Sequence, residues 1–377
     1  MVIPYDAAHF TAMGKQKFEE GDEIIFPFGL FDAHSHGRDN NAVLGDGMTN
    51  VLEHSVQQFG AVLLMPNLIG KDALMTPSMA LDYHGRARMA SGVSEKDMLI
   101  LVTVYLNTNL TEDHIRQTAE DPRIVGVKSY PAHGTTGAEH GLRTPLEAPK
   151  QLEWMEKYGV PLLVHGQVRT DDNGKVLDEF DREPFFYNEV APILDARYPE
   201  LPISYEHLST GLGAQAVIER EGPTQGTLTL LHLGYTRTDV MDTGVRTDMV
   251  MKPMVQHARE KPKLWKALRQ YPHMFALGSD DAWHPTTAKH AKLCACGGCY
   301  GPYRVGHYFD LFEQEGFTGQ WSAFSSDNAA RFYGVAVPAK EVRIRKGRYT
   351  VAKTLEFGNH QAEPLHAGEQ LFGWYLV

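Results

Sequence analysis

Apolar residues fall into short unbroken runs, separated by stretches in which they recur every three or four positions. Residues 23–30, 61–67, 98–105, 123–130, 160–166, 203–207, 227–232 and 274–280 are such runs, and each predicts a strand. Helical spacing predicts helices over 50–59, 76–92, 111–120, 145–158, 184–197, 212–220 and 260–270. Unbroken apolarity implies strands covered on both faces, and hence a parallel sheet. Eight such strands alternating with helices predict an α/β fold, the (β/α)8 TIM barrel. An open doubly wound sheet is the alternative. No Gly-x-Gly-x-x-Gly follows the first strand, which counts against a dinucleotide-binding version of it. The barrel is expected over 23–340, with an N-terminal arm at 1–22 and a C-terminal extension at 341–377 packed on it. Residues 341–351 alternate apolar and polar and read as a hairpin-like appendage.

Composition narrows the class. With 377 residues, 42% hydrophobic and 22% charged, the chain is long enough for a large core and ordinary for a soluble globular protein. A formal net charge of −11 argues against nucleic acid or an anionic membrane as the main partner. It leaves room for a small anionic substrate in a local cationic pocket. No apolar run approaches the ~20 residues that span a bilayer. The N-terminus lacks a basic segment followed by an apolar one, so no secretory signal is expected. The three cysteines all lie within 294–299, a poor disulfide framework that suits a reducing, cytoplasmic setting. No second Cys-x-x-Cys accompanies them, so no structural zinc is expected there. The 18 histidines turn attention to metal binding.

In a barrel of this kind the functional residues stand at the carboxyl ends of the strands. The first run leads into Phe31-Asp32-Ala33-His34-Ser35-His36-Gly37-Arg38. Alternation on a strand points His34 and His36 the same way, with Arg38 one pleat further. Later strand ends supply Asn67, Lys128, His165, His207 and Asp280, with His284 just beyond. Each has a plain structural reading as well. A His-x-His pair is common on surfaces, His165 and His207 read equally as buried histidines satisfied locally, and Asp280 as a helix cap. Lys128 is harder to place. Inside 123–130 its amine either snorkels to solvent or is buried at a cost that calls for a partner. A lysine amine carboxylated by CO2 is anionic, carries two oxygens and can bridge two metal ions. The convergence of all these groups on strand ends favours a joint site over separate structural roles.

Taken in order, these stretches resemble the dihydroorotases of the shorter bacterial type, within the amidohydrolase superfamily. The resemblance runs through Asp32-Ala33-His34-Ser35-His36-Gly37-Arg38-Asp39, Leu64-Met65-Pro66-Asn67-Leu68 and Val127-Lys128-Ser129-Tyr130-Pro131-Ala132. It continues through Gly134-Thr135-Thr136, Leu162-Leu163-Val164-His165-Gly166, Glu206-His207 and Leu277-Gly278-Ser279-Asp280. Phe180-Asp181-Arg182-Glu183 and the cysteine-rich 294–299 stretch are similar too. The resemblance implies two Zn2+ per chain, with His34, His36 and Asp280 on the more buried ion and His165 and His207 on the more exposed one. N-carboxylated Lys128 would bridge them, together with a hydroxide. Two cations acidify a shared water and polarise the scissile carbonyl. Asp280 would carry the proton from that water to the leaving amide nitrogen. Arg38, Asn67 and His284 would hold a substrate carboxylate, for which Arg offers bidentate geometry. Thr135 and Thr136, flanked by Gly134 and Gly137, would lie in a loop able to fold over the substrate. The backbone of Gly297 and Gly298 would line the pocket. The implied reaction is reversible hydrolysis of (S)-dihydroorotate to N-carbamoyl-L-aspartate in pyrimidine synthesis, and a homodimer is expected.

The chain departs from the family pattern at several places. Gly37 stands where a bulky residue is usual, and Gln167 where a glutamate is common. Asp281-Ala282-Trp283-His284 replaces Ser-Ala-Pro-His, and Met251-Lys252-Pro253-Met254-Val255-Gln256 replaces an apolar stretch. None of these removes a metal ligand, and several are expected to face the substrate. Lys252, Asp281 and Trp283 therefore keep open another substrate: a different cyclic amide, imide, hydantoin or lactone. A non-catalytic binding partner built on the same barrel is the reading from a different class.

Overall fold

In a computed structural model, which describes residues 1–14, 17–39 and 47–377, the apolar runs form the staves of one barrel. Two strands precede it, β1 (Val2–Pro4) and β2 (Glu23–Phe26). The barrel strands are β3 (Phe31–Ser35), β4 (Ala61–Leu64), β5 (Leu99–Tyr105), β6 (Ile124–Ser129), β7 (Leu162–His165), β8 (Ile203–Glu206), β9 (Thr224–Leu228) and β10 (Phe275–Leu277). Each pairs in parallel with the next in sequence. The sheet closes beyond the last strand. Asp280 N donates to His34 O at 2.8 Å, and His36 N donates to Asp281 O at 3.0 Å.

Two layers of core explain the unbroken apolar runs. Val62, Leu64, Ile100, Val102, Leu162, Val164, Ile203 and Tyr205 pack outward. They meet helices that include Met48–Gln58, Pro77–Ser91, Glu112–Glu120, Pro149–Tyr158, Gly211–Glu219 and Lys261–Gln270. Phe31, Ala61, Leu63, Leu101, Val125, Leu163 and Ala276 fill the interior floor. Above this floor the interior turns polar, with Thr103, Lys128, His165, Ser204, Glu206 and Thr227 all buried.

Register shifts in two strands decide which side chains reach that polar layer. In β3, Asp32 faces Val62 but Ser35 faces Leu64, so one extra residue is accommodated between them. In β6, the shift falls between Ile124 and Val127. Strict alternation puts residues three apart on opposite faces. Phe31 and His34 would be split in this way, as would Val125 and Lys128. A bulge reverses that parity, so His34 and Lys128 enter the interior above an apolar floor.

Some expected elements differ. The 23–30 run is not one strand. Pro27, which lacks an amide hydrogen, and Gly29 interrupt it, so Glu23–Phe26 leaves the barrel and Phe31–Ser35 opens it. β2 belongs to a four-stranded outer sheet, ordered β1, β2, β11 (Val342–Thr350), β14 (Gln370–Leu376). The 1–22 arm is thus partly a strand, followed by a helix, Ala7–Met13, capped by Asp6. Residues 341–351 are a single long strand with distant partners. The nearby hairpin is β12 (Leu355–Phe357) with β13 (His360–Ala362). The 227–232 run also divides. The Thr229 side chain accepts from His232 N and starts a short helix, Leu230–Gly234, so β9 stops at Leu228. No helix among the described residues is long and apolar enough to cross a membrane.

Candidate metal centre and substrate cavity

The upper ends of the barrel strands converge on one small cavity. Its wall includes His34, His36, Arg38, Asn67, Tyr130, Thr135, His165, His207, Lys252, Asp280, Ala282, Cys296 and Gly297. Three of these form a tight donor set: ligand atoms of His34, His36 and Asp280 all lie within 4.8 Å of one another. His36 Nε2 is 2.9 Å from Asp280 Oδ1, and His34 Nε2 is 3.6 Å from the same oxygen. The neighbouring pair follows directly. The His34 and His207 ring centres are 5.0 Å apart, and those of His207 and His165 are 4.4 Å apart. Gly278 makes room for this crowding, since a Cβ there would lie 2.9 Å from the Cβ of His34.

Lys128 lies beneath the cavity, fully buried. Among the described residues its Nζ has no hydrogen-bond partner, and neither does His207 Nδ1. Burial pushes the Lys128 amine down to about 8, against the opposing pull of Glu206 and Asp280. Burial likewise lowers His36 to about 4 and His165 to about 3, and holds His207 well below its ordinary value. These histidines are neutral at pH 7, the form in which imidazole binds metal. Burial also opposes ionisation of Asp280. The His36 hydrogen bond and the charges of His34, His36 and Lys128 outweigh it and hold Asp280 at about 2. A carboxylate and neutral imidazoles make a donor set suited to zinc, and the buried Lys128 amine, lowered to about 8 and without a partner among the described residues, is more readily deprotonated than an ordinary lysine. The residues present therefore fit the metal that the resemblance implies.

Backbone strain concentrates at the same place. Arg38, His207 and Asp280 have φ of 52°, 41° and 52°, a region L-residues with side chains rarely occupy. Such residues persist only where their surroundings over-determine them, at about 1–3 kcal/mol each.

The carboxylate-binding candidates are less uniformly placed. Arg38 is buried, donates from Nε to Trp283 O at 3.1 Å, and has Nη2 3.2 Å from His284 Nε2. Among the described residues no carboxylate pairs with it. His284 stands behind Arg38 rather than in the wall, with Nε2 also 3.0 Å from Cys296 O. Asn67 lines the cavity and donates from Nδ2 to Thr136 O at 2.8 Å, and among the described residues its Oδ1 has no partner. Thr135 reaches the wall, whereas Thr136 contributes through its carbonyl. Gly297 is in the wall and Gly298 is not. The Gly298 carbonyl accepts from Ala282 N at 2.8 Å, and the Tyr300 hydroxyl fills the space of its missing side chain.

Two departures expected to face the substrate point elsewhere. Asp281 Oδ1 accepts from Trp283 Nε1 at 2.9 Å and from Tyr300 N at 2.8 Å, and Oδ2 is 3.5 Å from Arg304 Nη1. Trp283 is fully buried, 5.8 Å from the Phe357 ring. Burying a carboxylate requires such partners, and they lie behind the cavity wall. Gln167 holds His165 Nε2 at 2.9 Å, and Lys252 does reach the cavity. Gly37 is explained by Tyr83, whose hydroxyl occupies the space a side chain at 37 would need.

Sequence reasoning missed Glu206. Its Oε2 is 2.5 Å from His34 Nδ1, and Ser204 and Thr227 donate to its two oxygens at 2.5 and 2.9 Å. This carboxylate fixes the His34 ring so that Nε2 faces the donor set. Tyr130 was missed too; its ring centre is 5.2 Å from Lys128 Nζ. The only available signal for Glu206 was a carboxylate at an interior position of an apolar strand.

No family model matches the chain. A dihydroorotase from Acidovorax sp. (strain JS42) is 34% identical over 350 residues, 92% of this chain and 96% of that protein. The crystal structure of a dihydroorotase from Campylobacter jejuni superimposes with a TM-score of 0.81 at 25% identity, covering 96% of this chain and 99% of the other. A Saccharomyces cerevisiae dihydroorotase, solved with 5-fluoroorotic acid, shares the fold at a TM-score of 0.81 and 22% identity, covering 94% and 98% of the two chains. The chain belongs to the dihydroorotase family of the amidohydrolase superfamily, whose members hydrolyse cyclic amides.

Proposed function

We propose that the chain is a zinc-dependent dihydroorotase, opening (S)-dihydroorotate to N-carbamoyl-L-aspartate and closing it again, a step of pyrimidine synthesis. The observation that carries this is Lys128: a fully buried amine with no hydrogen-bond partner among the described residues, within electrostatic reach of Asp280, His165 and His207. His34, His36 and Asp280 would hold one zinc, His165 and His207 the other, and N-carboxylated Lys128 would join them. Bound there, zinc supplies Lewis acidity toward the scissile carbonyl oxygen and acidifies the attacking water.

The chain's own groups do the rest. Arg38 takes the substrate carboxylate, its guanidinium aimed by Trp283 O and His284. Asn67 offers an amide alongside it, and Thr135 closes the wall. Water oxygen attacks the ring carbonyl carbon, and the carbon–nitrogen bond breaks. Asp280, ionised at neutral pH, accepts the proton of the water and delivers it to the departing nitrogen. Burial of the whole set excludes bulk water and strengthens each of these interactions.

The test is direct. Protein prepared with zinc is assayed with dihydroorotate in one direction and N-carbamoyl-aspartate in the other. Metal content and the intact mass are read on the same sample. Turnover both ways, two zinc ions per chain and one added CO2 that is lost on Lys128→Ala substitution are expected. Inert behaviour toward both compounds in a fully zinc-loaded sample would sink the proposal.

A further inference from the structure

Arg38 and Lys252 are the cationic side chains of the cavity wall outside the metal set, among the described residues. Arg38 has a task in the proposed reaction; Lys252 has none. Its Nζ is 2.6 Å from Glu179 Oε2, and the two side chains are 17% and 21% exposed. Glu179 does not depend on this contact, because Arg182 donates to the same carboxylate oxygen. The backbone around Lys252 is pinned on both sides. His232 Nε2 holds Pro253 O at 3.0 Å, and Lys289 Nζ holds Val250 O at 3.0 Å and Gly297 O at 2.8 Å. The adjustable part of this segment is the lysine side chain itself.

We infer that Lys252 is a specificity-determining residue, swinging from Glu179 to an oxygen of the bound ring remote from the carboxylate held by Arg38. Breaking a buried ion pair normally leaves one charge stranded at high cost. Here Arg182 keeps Glu179 neutralised, so the ammonium is free to move. Moving the ammonium to the ring exchanges one largely buried contact for another charge-assisted one, while Glu179 keeps its pairing with Arg182. The favoured substrates are then cyclic amides that carry both a carboxylate and a second ring carbonyl, as cyclic ureides and imides do. Simple lactam carboxylates lack the second acceptor and bind less well.

This inference rests on the proposed dihydroorotase reading, and the wild-type assay tests that reading separately. The zinc-loaded wild type and the Lys252→Met, Lys252→Arg and Glu179→Gln variants are compared with dihydroorotate. Lys252→Met should raise KM about tenfold, equivalent to ~1.4 kcal/mol, with kcat within about threefold. Lys252→Arg should stay close to wild type. Glu179→Gln, which removes the competitor for the ammonium, should leave KM unchanged or lower it. If the ion pair only braced the cavity mouth, Lys252→Met and Glu179→Gln would raise KM together and lower Tm together, which overturns the inference. An unchanged KM in Lys252→Met, or any other pattern, overturns it as well. Wild-type protein inert toward dihydroorotate defeats the underlying reading and takes this inference with it.

Discussion

At the scale of single residues, the site is governed by which polar atoms have partners. Glu206 and Lys128 are both fully enclosed, yet Glu206 has three hydrogen-bond partners and the Lys128 ammonium has no acceptor among the described residues. The satisfied group orients His34, a candidate ligand, and the unsatisfied one is the exception that calls for an explanation. Glu206→Gln keeps the shape and removes the charge behind His34. It should lower zinc affinity or dihydroorotate turnover about 10- to 100-fold, measured by metal titration and steady-state kinetics. Gly37 tests packing in the same way. Gly37→Ala forces its methyl group against the Tyr83 hydroxyl and should lower stability by about 1–3 kcal/mol, read by denaturant unfolding. Tyr83→Phe in the same chain should recover most of that loss. The candidate ligands were legible as His, Lys and Asp at strand ends. Glu206 was not, because nothing in Ser204-Tyr205-Glu206-His207 distinguishes a carboxylate facing His34, 172 positions away, from one facing solvent.

At the scale of elements, the bulges in β3 and β6 and the positive φ values at Arg38, His207 and Asp280 aim the side chains. Hydrophobic periodicity located the strands to within a few residues but is blind to a one-residue register shift. Such a shift depends on the neighbouring strand. The outer sheet supplies a test of its own. The helix Arg304–Gln314 packs against β14 through Asp310, whose two oxygens accept from Trp374 N at 3.1 and 3.2 Å. Burial raises the Asp310 carboxyl to about 8, outweighing that hydrogen bond. The folded chain therefore keeps a proton that the unfolded chain releases near pH 4. Stability from this group is fully present below about pH 4 and falls as pH rises towards 8. Asp310→Asn, which keeps an acceptor for Trp374, should flatten the fall in Tm between pH 5 and 8. An unchanged slope would count against this assignment.

At the scale of the whole molecule, the centre sits on the seam where the barrel closes. Asp280 follows β10 and His34 lies in β3, joined by the backbone hydrogen bond between them. Behind the seam, Arg304 Nη1 lies 3.1 Å from Asp32 Oδ2 and 3.5 Å from Asp281 Oδ2. One arginine from beyond the barrel thus ties both edges, each next to metal-ligand candidates. Ions bound across such a seam bind the folded state only, so they should stabilise the barrel as well as activate it. Chelation should abolish turnover of dihydroorotate and lower Tm, and zinc should restore both. At free zinc a hundred times its Kd, each site contributes about 2.7 kcal/mol. Chelation without any shift in Tm would show that the seam holds no ion.

The sequence by itself determined the alternation of strands and helices, the parallel barrel, and the residue types at the strand ends. These follow from periodicity and composition, which are properties of neighbouring residues. Tertiary structure alone decided the rest: the division of 23–30 between two sheets, the bulges that turn His34 and Lys128 inward, the seam, and the carboxylate behind His34. It also turned Asp281 and Trp283 away from the cavity while leaving Lys252 in it. Each of these depends on contacts between residues far apart in the chain, and on which buried polar group finds a partner when the barrel closes.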